Sequence, residues 1–69
     1  MENEAIREAR KAAGLTQTRL ADMLGISQGF VAQIELGSRP LPDDILARMP
    51  PAIRGPLVRG RIAELEKLL

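Results

Sequence analysis

QTRLADMLGISQGFVAQIEL, residues Gln17 to Leu36, reads as two short helices joined by a tight turn at Gly25. Leu20, Ala21 and Leu24 fall on one side of the first helix, and Val31 and Ile34 on one side of the second. Residues three and four apart share a helix face, so each helix has an apolar flank. Ile26 lies between them, where it can plug the angle. The small Ala21 lets the second helix approach closely. Gly25 supplies a turn geometry that other residues adopt only with strain. Thr16 and Ser27 stand where N-caps belong. Arg19 occupies the place where a reciprocal capping box would need Glu or Gln, so the Thr16 cap is expected to be the simple kind.

Working outward, Asn3 to Ala13 reads as a preceding helix, with Asn3 as its cap and Glu4 in its first turn. Ile6, Ala9 and Ala13 form a narrow apolar stripe, Gly14 is the expected stop, and Leu15 enters the core. On the other side, Gly37 ends the helix from Gln28 to Leu36, and Ser38 to Leu41 form a rigid loop. Pro42 suits the first turn of a fourth helix, with Asp43 and Asp44 at its positive end. Ile45, Leu46 and Met49 would be its buried side, and Pro50 and Pro51 its stop. Residues 52–55 read as a short connector, and Pro56 as the start of a last helix. No strand pattern, internal repeat or low-complexity segment is present. The expected fold is all-α, a compact bundle of about five short helices. Its expected division is a first unit over residues 1–55 and a C-terminal helix over 56–69.

Composition narrows the function. Sixty-nine residues allow one domain, and a chain of this size buries only about 60% of its unfolded surface, so marginal stability and pairing with a second copy are expected. There is no Cys and no His, which removes thiol chemistry, thiolate metal sites and the commonest general base. Phe30 is the only aromatic residue, so the core must be aliphatic. The acids sit at helix starts or on outer faces, and Asp43 and Asp44, being adjacent on a helix, point apart. No enzyme, no cofactor and no metal is expected. No apolar run approaches the roughly 18 residues of a membrane span, and the opening MENEAIREAR is too acidic for a secretory signal. The expected location is cytoplasmic. Net charge is only +1, but Arg7, Arg10, Lys11, Arg19 and Arg39 lie in or beside the central stretch, and most acids lie outside it.

In the helix from Gln28 to Leu36, Phe30, Val31 and Ile34 cluster on one side. Gly29, Ala32 and Leu36 lie roughly opposite, flanked by Gln28 and Gln33. That outward side lacks the Lys and Glu of an ordinary surface helix. Small residues with two amides suit a surface that fits closely against something. Gln can make a paired hydrogen bond to adenine, and an alanine methyl can touch that of thymine. Phe30, on the packed side, reads as core edge rather than a base-stacking ring. The helix is roughly 13 Å long, enough to cross a major groove.

From about Leu15 to Pro40 the chain resembles the helix-turn-helix of the phage Cro and repressor family (the XRE class), a lambda-repressor-like DNA-binding domain. The resemblance fades beyond that stretch. It implies a motif over 17–36 whose second helix lies in the major groove. It also implies base-edge contacts at Gln28, Gly29 and Gln33, although Gly29 has no side chain to read with. Specificity would then rest on Gln28, Gln33 and DNA shape. The plainer alternative is that both glutamines are merely solvated. Gln17 falls where the family contacts the DNA backbone, at a helix N-terminus that attracts phosphate; the alternative is a plain helix start. Arg39 is expected at a phosphate, or else solvated. Ser27, Arg19 and Lys11 are further backbone candidates, although a charge on a helix surface usually serves solubility. Similar proteins pair a first-helix arginine with the glutamate ending the second motif helix, which here implies an Arg10–Glu35 pair with Arg10 near the DNA backbone. The alternative is two unpaired surface charges.

Val58, Ile62, Leu65 and Leu69 are spaced 4, 3 and 4 apart, as in a coiled-coil seam, with Leu57 and Leu68 widening the stripe. This is expected to be a homodimer interface; the alternative is that it closes the core of its own chain. The expected function is a Cro-like repressor of transcription, binding double-stranded DNA at a palindromic operator as a homodimer, with no membrane and no small-molecule ligand. Two other readings stay open. One is an antitoxin with the same DNA-binding fold, which free sequence beyond the last helix would favour, and that helix is expected to reach Leu69. The other is a protein–protein interaction module docking through the outward helix face.

Overall fold

The computed structural model describes residues 2–69. Five helices follow in order: α1 (Glu2–Ala12), α2 (Gln17–Leu24), α3 (Gln28–Leu36), α4 (Asp43–Arg48) and α5 (Pro51–Lys67). No strand occurs among the described residues. The all-α expectation therefore holds.

Local chemistry accounts for the α2–turn–α3 unit. Thr16 Oγ1 accepts the Arg19 N–H at 3.0 Å, and Ser27 Oγ accepts the Phe30 N–H at 3.1 Å, so each helix begins with a side-chain cap on one of its first donors. The turn leaves α2 through Gly25 at φ 70°, a left-handed conformation that a side chain would strain. The Ile26 N–H then returns to the Ala21 carbonyl at 3.0 Å. Gly37 ends α3 in the same way, at φ 82°.

The core is aliphatic. Leu20, Ala21 and Leu24 of α2 meet Val31 and Ile34 of α3, and Ile6, Leu41, Ile45, Leu46, Met49, Ile53 and Leu57 complete the cluster. Ile6, Leu20, Leu24, Ile53 and Leu57 are its largest fully buried side chains. Leu15, Ile26 and Phe30 pack on its edge.

The structure corrects three local expectations. Asn3 does not cap α1: it lies inside the helix, and its Nδ2 donates to the Glu35 carbonyl at 3.4 Å, a bond 32 residues away in sequence. Ala13 is exposed, and Arg10 takes the inner face that a stripe through Ala13 would have used. The last helix starts at Pro51, not Pro56, carries Pro56 inside it and ends at Lys67, short of the expected Leu69. Pro51 suits a first helical position because its missing N–H has no intrahelical partner to lose. Pro56 cannot donate to the Ala52 carbonyl, a penalty confined to one turn. Ile53 and Leu57, 0% and 1% exposed on either side of it, hold that turn against the core. One continuous helix thus crosses the division expected at 55/56.

Arg61 secures this helix. Its Nε donates to Glu2 Oε2 at 2.7 Å, Nη1 to Asp43 Oδ1 at 2.6 Å and Nη2 to the Leu41 carbonyl at 2.9 Å. One guanidinium therefore ties α5 to the start of α1, the loop before α4 and the first turn of α4. Ile53→Ala is expected to destabilise the protein by about 2–5 kcal/mol, since it removes a fully buried side chain from this junction. Urea unfolding checks this; a loss under about 1 kcal/mol would mean that the start of α5 is not core.

Candidate nucleic-acid interface

α3 divides sharply. Val31 and Ile34 are buried, Phe30 and Ala32 are half-buried, and Gln28, Gly29, Gln33 and Leu36 are exposed. Glu35, in the last turn, is only 7% exposed. A buried carboxylate is costly unless it is paired and hydrogen-bonded. Here Arg10 Nε donates to Glu35 Oε2 at 2.7 Å and Arg10 Nη2 to Oε1 at 3.0 Å, a two-pronged pair. The third nitrogen, Nη1, donates to the Leu15 carbonyl at 2.8 Å. The alternative of unpaired surface charges is thereby removed. Burial by itself would push the Glu35 carboxyl up. Hydrogen bonds from Arg10 and Gln17, with the charges of Arg10 and Arg7, outweigh it and hold the group below its ordinary value of about 4.5.

From this pair a chain of amides leads to the surface. Gln17 Nε2 donates to Glu35 Oε1 at 3.1 Å, and Gln28 Nε2 donates to Gln17 Oε1 at 2.7 Å. An ionised carboxylate only accepts, so Gln17 must turn its NH2 group inward and its oxygen toward Gln28. Gln28 must then donate to Gln17 with one N–H, which leaves its oxygen and its second N–H for another partner. The polarity of an exposed side chain is thus set by a buried charge two residues removed.

The helix starts add donors. The Gln17 and Thr18 N–H groups at the start of α2 have no acceptor within the helix, and the same holds for Gln28 and Gly29 at the start of α3. Gly29 meets nothing within 4 Å of where a Cβ would be, so it offers bare backbone rather than filling a gap. Arg39, in the loop after α3, donates through Nε to Gln33 Oε1 at 2.9 Å and lies with Cζ 4.9 Å from the Phe30 ring centroid.

The structure therefore brings Gln17, Gln28, Arg10 and Glu35 into one network and Gln33, Arg39 and Phe30 into another. Ser27 is an exposed N-cap, and Arg19 is exposed on α2. Arg10 is 8% exposed, with one bond from each of its three nitrogens to Glu35 or Leu15, so it sits beneath the surface and not at it. Val58, Ile62 and Leu65 are 37%, 50% and 63% exposed, and Leu69 is fully exposed, so this stripe does not close the core of its own chain. The bond from Gln28 to Gln17 and the return of Arg39 to Gln33 were absent from the sequence reading. The 11-residue separation of the glutamines, one on each motif helix, is the signal that could have revealed the first.

A helix-turn-helix family model matches residues 6–49, which spans most of α1 and all of α2, α3 and α4 and stops before α5. No curated protein and no solved structure matches the chain.

A lowered carboxyl value in the folded protein means stability present above the unfolded value and lost as pH falls through the folded one. Glu35→Gln is expected to destabilise by about 3 kcal/mol at pH 7, since it leaves Arg10 buried without its counter-charge. The gap to the parent protein should narrow as pH drops below the ordinary glutamate range. Thermal melts from pH 7 to pH 3 check this; a constant gap would mean that the pair contributes nothing as an ion pair.

Proposed function

Since the chain belongs to the Cro/phage-repressor-like helix-turn-helix family (XRE class), a family of DNA-binding regulators, we propose that it is a sequence-specific repressor of transcription that binds a palindromic operator as a homodimer, with α3 in the major groove. The observation that carries this reading is the exposed Gln28 amide, held in one orientation from below by Gln17 and the Arg10–Glu35 pair. Its oxygen accepts from adenine N6, and its second N–H donates to adenine N7, the paired contact by which glutamine selects that base. The open N–H groups at the start of α2, with Ser27 and Arg19, face phosphates, which fix register but carry no sequence. Arg10 acts through Glu35, which orients Gln17, and does not itself touch DNA. Gly29 lets the backbone of α3 approach the base edges closely.

The dimer forms through the exposed half of α5. Val58, Ile62 and Leu65 on α5 are 37% to 63% exposed, and Leu69, just past its end, is fully exposed; the four keep the coiled-coil spacing. Antiparallel pairing sets Val58 opposite the partner's Leu69 and Ile62 opposite the partner's Leu65, so every apolar residue of the seam meets another. It also brings Arg59 toward the partner's Glu66 on the flank. Parallel pairing would instead bring Arg54 toward the partner's Arg59, two like charges at positions that govern helix pairing. The two copies then present their α3 helices to half-sites about 34 Å apart, one turn of DNA.

Selection of bound duplexes from a random pool tests the DNA reading. The chain is expected to enrich an approximate palindrome, with affinity that falls steeply as salt rises. Gln28→Ala should relax the preference at one or two base pairs and lose about 1–3 kcal/mol of discrimination. Failure to bind any duplex at low ionic strength would overturn the proposal. For the dimer, Ile62→Glu is expected to give a folded monomer in sedimentation equilibrium, because Ile62 is half-exposed in the single chain. A variant that still sediments as a dimer would place the interface elsewhere.

A further inference from the structure

We infer that Arg39 is a positioning residue for base recognition: by holding the Gln33 amide oxygen, it commits Gln33 to the keto-bearing edge of guanine or thymine. The inference rests on the reading above, that α3 enters the major groove. A free glutamine amide has two faces, a carbonyl that accepts and an NH2 group that donates, and rotation exchanges them. Gln33 is exposed, and left alone it would present either face.

A bond from Arg39, itself held in place by its neighbours, removes that freedom. Arg39 Nε, which can only donate, takes Gln33 Oε1 at 2.9 Å and turns the amide NH2 away from itself. Arg39 is in turn laid over the Phe30 ring at 4.9 Å, and that ring is half-buried against the core edge. The connecting loop is hung on the same residue: the Ser38 N–H and Ser38 Oγ both donate to the Gln33 carbonyl, at 3.1 and 3.2 Å. Pro40 restrains Arg39 further, because a residue before proline is confined to extended backbone. Side chain and main chain of Gln33 thus close a ring through residues 38 and 39.

The result is a patch made of donors, the Gln33 NH2 and the remaining guanidinium N–H groups, with a positive charge beside it. In the major groove, guanine offers O6 and N7 and thymine offers O4, all acceptors. Adenine also has an N7 acceptor, but its N6, like cytosine N4, is an amino group and would bring another donor toward a cation. Gln28 and Gln33 therefore differ in what they read, despite being the same residue on the same helix. Gln28 is held through its nitrogen and keeps its oxygen for a base, whereas Gln33 is held through its oxygen and keeps its nitrogen.

The experiment is selection of bound duplexes by four proteins in parallel: the parent chain, Gln33→Ala, Arg39→Lys and Arg39→Ala. The base pair that Gln33 reads is the one whose preference Gln33→Ala relaxes. At that pair, on the strand whose base Gln33 faces, the parent is expected to favour a keto base over adenine or cytosine by roughly tenfold. Arg39→Lys retains a cation for phosphate but lacks the planar fork that stacks and holds the amide. It should keep most of the affinity while the keto preference falls to under about threefold. Arg39→Ala should lose the same preference, with other positions of the site unchanged. If Arg39 were only a phosphate contact, Lys would preserve the selected sequence and Ala would weaken all sequences alike; either result overturns the inference while leaving the DNA reading intact. Adenine favoured at the Gln33 pair in the parent, or no pair relaxed by Gln33→Ala, also overturns it. A parent chain that selects no duplex overturns both.

Discussion

A single buried carboxylate governs the arrangement of this molecule. Glu35 ends α3 inside the protein, where an unpaired charge would cost several kcal/mol. Its position is tolerable only because Arg10 comes across from α1 with two nitrogens and Gln17 comes from the start of α2 with a third donor. Three helices are thereby fixed to one point. Replacing such a pair by apolar residues is often neutral or stabilising, so its value lies less in net stability than in direction. Apolar packing of Leu20, Leu24, Val31 and Ile34 is tolerant of small rotations, whereas a two-pronged ion pair is not.

That distinction separates the two kinds of work done by α3. One flank supplies aliphatic bulk to the core, and the other shows amides and bare backbone. Hydrophobic burial decides which flank is inside, since it is roughly proportional to area and has no directional preference. Hydrogen bonding decides how the outer flank is aimed. The two glutamines reach solvent through different tethers, one rooted in the Arg10–Glu35 pair and one in a loop arginine resting on Phe30.

The parts legible in the sequence were those set by local chemistry. Thr16, Ser27, Gly25 and Gly37 mark helix ends through contacts within a few residues, and the limits of α2 and α3 follow from them. The apolar period placed Gln28 and Gln33 on the exposed side, as observed. Where a distant residue outbid a local preference, the sequence misled. Asn3 is a good cap by itself, yet its amide serves the Glu35 carbonyl across the fold. Pro56 is a good helix start by itself, yet Ile53 and Leu57 hold helix on both sides of it. Nothing within the sequence of α5 reveals that Glu2, Leu41 and Asp43 converge on Arg61. The tether from Gln28 to Gln17 was hard to see for the same reason, since its geometry depends on how α2 and α3 cross.

The clasp around Arg61 has a mechanical side. α5 is braced at its base by aliphatic side chains and further along by a cation shared among three segments, so as far as Arg61 it is held as a stiff lever against the rest of the fold. A stiff lever transmits tilt to whatever it joins. In the proposed dimer two copies meet through these levers, so the span between their α3 helices is a property of the protein, and insertion of a single extra base pair at the centre of the proposed operator must be absorbed by twisting the duplex.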